Sequence, residues 1–517
     1  MQSAKANLEA FFPPFLQKLR TKVLESSLGH RLARGAFWSL VGTLTSRGLG
    51  LLAGVAVARL LGKEGYGQLG VVQSTLGMFG IFAGFGMGLT ANKHVAEFRK
   101  TDPARAGRII GISGFIAWGT GGMMTLILYL LAPWLSRTTL ASPGMGGLLQ
   151  IGALLLVFGG VNGAQTGALA GFEAFKTIAR VNLITGLLAF PTTLIAAWFW
   201  GVTGSVWALV ANLALNCAFN FFALRQEAAR AGVRLSYRNC VQEWPILWRF
   251  SLPAVLAGAI IGPVTWSVNA LLVNQPHGYA QMGIYNAVVR IKLVPDMVLG
   301  MLLAPLLPIL SEQYAAGNVA GYQKTARSAF MLALFVTAPF ALIQIAAPAI
   351  TMLPYGHDYA GHDAVVQWLM AELGILGLFT PISQMVASMN KMWFGFGFNL
   401  VWAMVYGVLA WTLVPRYGVA GLAAAPILAH LLCLGPVIYY ISRKEPAFLS
   451  GLPIGRMALL LCSSAALIFV GEKFLSPYLA LIIAAGAIGT MLVMRKYFLQ
   501  PGTSRNEKAV AHDSAAL

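Results

Sequence analysis

The chain is a succession of apolar runs, each long enough to cross a bilayer, and that succession restricts it to one kind of fold. Fourteen stretches, near 36-60, 66-90, 108-132, 145-170, 177-200, 202-224, 247-273, 279-308, 325-350, 364-389, 395-414, 418-441, 453-470 and 477-494, reach this length. A helix of roughly 20 residues spans about 30 Å of hydrocarbon. Barrel strands would instead alternate with period two over about 10 residues. Charged residues make up only 10% of the chain, against about 25% in an average soluble domain, too few to keep so much apolar side chain dissolved. The expected fold is an all-α integral membrane protein of about 14 transmembrane helices.

Basic residues set the direction of the spans, because they favour the cytoplasmic side. With the N-terminus inside, 28 of the 36 Lys and Arg fall on cytoplasmic segments, five on the opposite side and three within spans. Both termini are therefore expected in the cytoplasm. The net charge of +19 reflects topology, not a nucleic-acid partner. The basic residues of segment 1-35 precede any long apolar run, the wrong order for a cleaved signal peptide. Within it, "PPFLQKLRTKVLESSL" places Phe15, Leu16, Leu19, Val23 and Leu24 on one helical stripe. An interfacial helix on an anionic leaflet and a frayed basic tail both accommodate that pattern. Cys217, Cys240, Cys433 and Cys462 are scattered and read as packing residues.

The chain repeats itself. "EGYGQLGVVQ" from Glu64 aligns with "HGYAQMGIYN" from His277, and residues 161-210 slide onto 378-427 at a shift of 217, pairing Asn182 with Asn399, Gly201 with Gly418 and Gly204 with Gly421. Spans 1 to 6 thus correspond to spans 7 to 12. Six is even, so both copies enter from the same side, as in parallel-repeat transporters. The expected organisation is a cytoplasmic basic segment 1-35, an N-lobe 36-224, a cytoplasmic linker 225-246, a C-lobe 247-442, two further spans within 453-494 and a cytoplasmic tail 495-517. The duplicated phrase is expected at a tight outer turn, its glycines relieving the backbone and its tyrosine at the headgroup level.

"ARLLGKEGYGQLGVVQS", "YNAVVRIKLVPDMVLGMLLAPLLPILSEQYAAGN" and "PRYGVAGLAAA" resemble the phrases of the polysaccharide transporter family, within the multidrug/oligosaccharidyl-lipid/polysaccharide exporter superfamily. The resemblance extends over nearly the whole chain through helix order and repeat. It implies two six-helix lobes forming a V around a central cavity, alternating access, and flipping of undecaprenyl-diphosphate-linked oligosaccharide from the cytoplasmic to the periplasmic leaflet of a bacterial inner membrane. A polysaccharide polymerase or co-polymerase is a candidate partner beside the membrane lipids, and a monomer is expected. Multidrug export and a membrane-embedded glycan polymerase or ligase are the alternatives. The first would be expected to have twelve helices and an acidic cavity, the second a sizeable periplasmic loop with gathered charges.

Charges inside spans single out candidate site residues, since each costs about 2.5 to 3.5 kcal/mol unless paired or wetted. Arg47 lies mid-way along the first span, Arg290, Lys292 and Asp296 in the eighth, and Glu372 in the tenth. Arg47, Arg290 and Lys292 are candidates for the diphosphate, because guanidinium binds phosphate oxygens bidentately. The repeat would bring Arg47 and Arg290 to one central cavity. Lys292 and Asp296 are four apart on one helix face, so a mutually neutralised pair is the competing account. The chain departs from some lipid-linked precursor flippases in lacking a basic residue in the second span, so a full arginine cluster is not expected. Asp296 and Glu372 are candidates for coupling to H⁺ or Na⁺. Asn269, Asn286 and Gln384 are candidate cavity residues, and His430 reads as a hydrogen-bonded packing residue.

No cofactor or metal is expected. "GIFAGFGMG" has glycines like a nucleotide loop but lies in a span, where close helix packing accounts for them. No GxxxxGK[ST] occurs. "HDYAGHD", between spans 9 and 10, is expected to be a solvated loop.

Overall fold

The computed structural model describes residues 27–236, 240–244, 251, 259–389, 391–444, 484–486 and 488. The expected spans at 453-470 and 477-494 fall almost wholly outside these residues, as do the basic segment before Ser27 and the tail. Among the described residues no strand occurs, and nine helical stretches are long and apolar enough to cross a membrane. The chain is a multi-pass α-helical membrane protein.

It divides into two units. The first comprises the chain to Leu60 and Val72–Gly262, the second Leu61–Val71 and the chain from Pro263 onward. The first contains most of α1 (Ser27–Gly84) and all of α2 (Met87–Phe98), α3 (Pro103–Trp134), α4 (Met145–Gly171) and α5 (Phe175–Arg230). The second contains α6 (Ile261–Val273) from Pro263 onward, and α7 (Gly278–Leu303), α8 (Leu306–Ala315), α9 (Val319–Ala346), α10 (Asp363–Ser388), α11 (Met392–Tyr417) and α12 (Val419–Lys444). Two helices each carry two spans. α1 breaks at Gly62 (φ 66°, ψ 175°) and α5 at Gly201 (φ 57°, ψ −135°), conformations that favour glycine.

Two expected spans are themselves broken. The second, expected unbroken over 66-90, is interrupted where Phe85 and Gly86 take left-handed φ of 42° and 67°, ending α1 and starting α2. The "GIFAGFGMG" glycines therefore do more than permit packing, although they do permit it, since a Cβ on Gly167 would collide with the Gly88 carbonyl. Of the seventh, expected over 247-273, the described residues show a turn at Ala259–Ile260 followed by a helix from Ile261.

The sequence repeat is visible in the backbone. Gly418 between α11 and α12 has φ 56° and ψ −131°, nearly the values of Gly201. A Cβ on Gly204 would strike the Ala196 carbonyl, and one on Gly421 the Leu413 carbonyl, at the same sequence shift. α3 is capped by Asp102, whose side chain accepts the Arg105 N–H at 2.9 Å, and α9 by Asn318, which accepts the Gly321 N–H at 2.9 Å. The second span's break also recurs, since α7 and α8 part at Ala304–Pro305, where proline has no N–H to donate. Large apolar residues such as Trp198 and Trp411, each 71% exposed, flank the Gly201 and Gly418 breaks, as expected of aromatic belts at a membrane interface.

The duplicated phrase corrects its own expected role. The left-handed residues lie at its edge, Gly62 shortly before the first copy and His277 (φ 55°) opening the second, while the rest of the phrase is helical in α1 and α7. Its glycines allow close approach instead. Within the second unit a Cβ on Gly67 would overlap the Tyr279 carbonyl, and one on Gly283 the Lys63 carbonyl, so the two copies of the phrase pack on each other. Tyr66, expected at the headgroup level, is only 3% exposed because that contact covers it.

Candidate functional site

The second unit holds a buried charge cluster. α7 carries Lys292 and α10 carries Glu372, each 7% exposed, and the Lys292 Nζ donates to Glu372 Oε2 at 2.5 Å. The expected Lys292–Asp296 pair is thus replaced by a pair between helices. The reason is geometric: α10 packs against α7 and brings a carboxylate directly to the ammonium, whereas a neighbour four residues along the same helix lies beside it. The Lys292 ammonium is thus engaged by Glu372 in this structure.

Asp296 stays half-buried one turn further along α7, and the charges acting on it are those of Lys292 and Glu372. The cluster is one cation facing two carboxylates. The charge of Glu372 also acts on Tyr285, Tyr406 and His430. His430 donates from Nδ1 to the Pro426 carbonyl at 2.8 Å and packs against the rings of Phe379 and Trp402 at 5.0 and 4.9 Å. That contact fixes the tautomer of the neutral ring, leaving Nε2 as the acceptor. His430 is the packed, hydrogen-bonded residue expected, yet it borders the charges.

Arg290 is turned to a different environment. Its charge acts on the phenols of Tyr66 and Tyr355, and the Tyr355 hydroxyl donates to the Ala287 carbonyl one turn before it, at 3.0 Å. Tyr355 and Tyr359 lie in the segment between α9 and α10, with ring centroids 5.4 Å apart and each no more than 2% exposed. Burial raises both phenols above the ordinary tyrosine pKa. This grouping was not legible in the sequence, since Tyr66 and Tyr355 come from segments nearly 300 residues apart. Only the duplicated phrase pointed to one of them.

The remaining candidates are dispersed. Arg47 belongs to the first unit, where its residue is exposed. Asn286 packs its amide into the notch left by Gly70, whose missing Cβ it would otherwise meet, and its Nδ2 is buried with no hydrogen-bond partner. Asn269 is buried in α6 and Gln384 half-buried in α10. In "HDYAGHD" His357 and Asp358 are exposed, while Tyr359 between the two His-Asp pairs is buried. No group of His, Cys, Asp and Glu fit for a metal ion occurs among the described residues.

Residues 32–314 match the family described as polysaccharide biosynthesis protein, which is more than half of the chain. The chain belongs to that family. The chain is also similar to the lipid III flippases of Escherichia coli (strain K12) and Shigella flexneri, each 22% identical over 259 residues that make up 50% of this chain and 61% of theirs. The chain therefore spans about three-fifths of the length of the curated relatives it matches. Among solved structures, a lipid II flippase MurJ in an inward closed conformation superposes with a TM-score of 0.64 at 14% identity, covering 89% of this chain and 99% of that one. An inward-facing MATE multidrug transporter of the MOP superfamily gives 0.63 at 16% identity, covering 81% and 99%. These two likenesses establish that this member of the polysaccharide biosynthesis family has the fold shared by those transporters.

Proposed function

We propose that the protein is a flippase that moves undecaprenyl-diphosphate-linked oligosaccharide from the cytoplasmic to the periplasmic leaflet of a bacterial inner membrane by alternating access. It is a transporter and not an enzyme, and it serves surface polysaccharide or O-antigen synthesis with both termini cytoplasmic. The observation that carries this reading is an exposed arginine, Arg47, mid-way along an apolar span in a member of the polysaccharide biosynthesis family. A guanidinium there costs about 2.5 to 3.5 kcal/mol on insertion scales, a cost offset when it binds an anionic headgroup. The lipid III flippase relatives support the same cargo class. Arg290 is the second diphosphate ligand in this reading, and Asn269, Asn286 and Gln384 attend the sugar.

Coupling falls to the buried cluster. Lys292 neutralises one of the two carboxylates Glu372 and Asp296, so uptake of a single H⁺ or Na⁺ balances the remaining charge. No cofactor takes part. The protein works as a monomer, with a polymerase or co-polymerase as the docking partner. The multidrug-export alternative rests on likeness of fold alone.

Purified protein in proteoliposomes, supplied with fluorescently labelled lipid-linked glycan, tests the reading. Arg47→Ala and Arg290→Ala are each expected to slow translocation by about tenfold or more, the worth of one charge-assisted hydrogen bond, while elution on size exclusion stays normal. Translocation at the wild-type rate in both variants would remove the arginines from the mechanism.

A further inference from the structure

Asparagine recurs along one face of the second half of α5, at Asn212, Asn216 and Asn220, over about 12 Å of helix at ~1.5 Å per residue. These residues and their partners belong to the first unit. Asn212 Oδ1 accepts from Thr192 Oγ1 at 3.0 Å, and its Nδ2 donates to Thr193 Oγ1 at 3.2 Å. Asn216 Nδ2 donates to Thr185 Oγ1 at 2.9 Å. Asn220 Nδ2 donates to Asn216 Oδ1 and, on α4, to Asn162 Oδ1, each at 2.8 Å. The direction of these bonds is fixed. The Thr185 hydroxyl gives its proton to the Val181 carbonyl at 2.8 Å, so it accepts from Asn216, which turns the Asn216 oxygen toward Asn220 and makes Asn220 the donor. The Asn220 oxygen is left over. Asn220 is 0% exposed, and its Oδ1 has no hydrogen-bond partner among the described residues. Three residues along α4 from Asn162, the Gln165 Oε1 is buried without a partner as well. Each such acceptor forfeits its hydration for nothing in return.

The fold does not demand amides here. The sequence shift of 217 that relates the two repeats sets Phe379 at the place of Asn162, Trp402 at Thr185, Cys433 at Asn216 and Val437 at Asn220. In the second unit Phe379 and Trp402 pack on the His430 ring, and Cys433 and Val437 are each 4% exposed. The same helices thus pack through apolar and aromatic side chains in one repeat and through neutral amides in the other. Polar side chains do hold membrane helices together, but a network serving only that end has no use for two unmade acceptors. Asn162, Asn212 and Asn216 are half-buried and Thr192 is exposed, so the ladder opens along its length and closes at Asn220.

We propose that this ladder binds hydroxyl groups of the glycan, a neutral polyhydroxyl ligand. A hydroxyl donates and accepts at once, so one that enters between Asn162 and Asn220 replaces their bond in kind, and a second donates to the leftover Asn220 oxygen. The ladder contains no charged side chain, which suits an uncharged ligand and leaves a bound cation without a counter-charge. The proposal rests on the translocation reading for its substrate, and adds a sugar site in the first unit made of residues that reading does not use.

The test is equilibrium binding to the full-length protein in lipid nanodiscs, with two probes: undecaprenyl diphosphate, and the lipid-linked glycan extracted from the producing cells. The wild type is expected to hold the glycan-bearing lipid about tenfold or more tighter than the bare one. Asn220→Val, which copies the second repeat, and Asn212→Ala are each expected to weaken the glycan-bearing lipid by about tenfold, the upper worth of one neutral hydrogen bond, and to leave the bare lipid unchanged. If Asn220→Val does not fold, Asn212→Ala decides. Wild-type affinity for the glycan-bearing lipid in a folded variant overturns the proposal, as does an equal loss for both lipids, which marks a packing role. So does a melting temperature that Na⁺ raises over K⁺ in the wild type but not in Asn220→Val while glycan binding stays intact, which makes the ladder a cation site. A wild type that binds both lipids equally overturns this proposal and leaves the translocation reading standing; one that binds neither overturns both.

Discussion

Removing the Glu372 carboxylate should expose how strongly the second unit depends on a single ion pair. Glu372→Gln leaves the Lys292 ammonium 7% exposed and without the partner that sits 2.5 Å away. Breaking a buried pair costs about 3 to 5 kcal/mol when the surviving charge is left uncompensated in a low dielectric, and the lower end applies here because Asp296 still acts on Lys292. A domain of 150 to 250 residues moves by roughly 2 to 4 °C per kcal/mol, which puts the fall in melting temperature on the order of 10 °C. Lys292→Met should cost a similar amount for the mirror reason. The double variant Lys292→Met/Glu372→Gln should recover part of the loss, since the pair is removed as a unit, while half-buried Asp296 is left without the ammonium that acts on it. The assay is detergent-solubilised melting followed by size exclusion, with the four proteins forming a double-mutant cycle. Strictly additive losses, the double variant melting as low as the sum of the singles, would show that Lys292 and Glu372 do not stabilise one another and would refute the pairing.

Two further predictions use the repeat and the tyrosines. Gly201→Ala and Gly418→Ala should each destabilise the protein by about 1 to 3 kcal/mol, the cost of a non-glycine residue in so sparse a region of φ/ψ space; a melting loss from only one of them would contradict the matched backbone of the two breaks. Burial raises Tyr355 and Tyr359 in the folded state, so their contribution is complete below the ordinary phenol pKa of about 10 and fades as pH climbs above it. Tyr355→Phe/Tyr359→Phe should therefore flatten the alkaline limb of the stability curve, and an unchanged limb would show that these phenols are not protected.

The corrections share one cause. A sequence shows which residues lie four apart on one helix, so Lys292 and Asp296 were readable as neighbours. It does not show which residue 80 positions away is pressed against them, and that residue, Glu372, took the lysine. Likewise "GYGQLG" and "GYAQMG" were legible as two copies of one phrase, while their packing on each other, which buries Tyr66 and uses Gly67 and Gly283 for close approach, is a property of the folded unit. The same holds for Glu243, an ordinary linker residue in sequence whose two partners, Arg105 and Arg108, lie 138 and 135 positions earlier.

What the sequence by itself determined is everything governed by local chemistry and periodicity. Hydrocarbon admits only backbones that satisfy their own hydrogen bonds, so long apolar runs with few charges dictated membrane helices, and duplication imposed matched caps and matched glycine breaks. Tertiary structure alone decided the partner of each buried charge. A charge in low dielectric is stabilised by whatever opposite group reaches it, and that reach is set by how the helices pack.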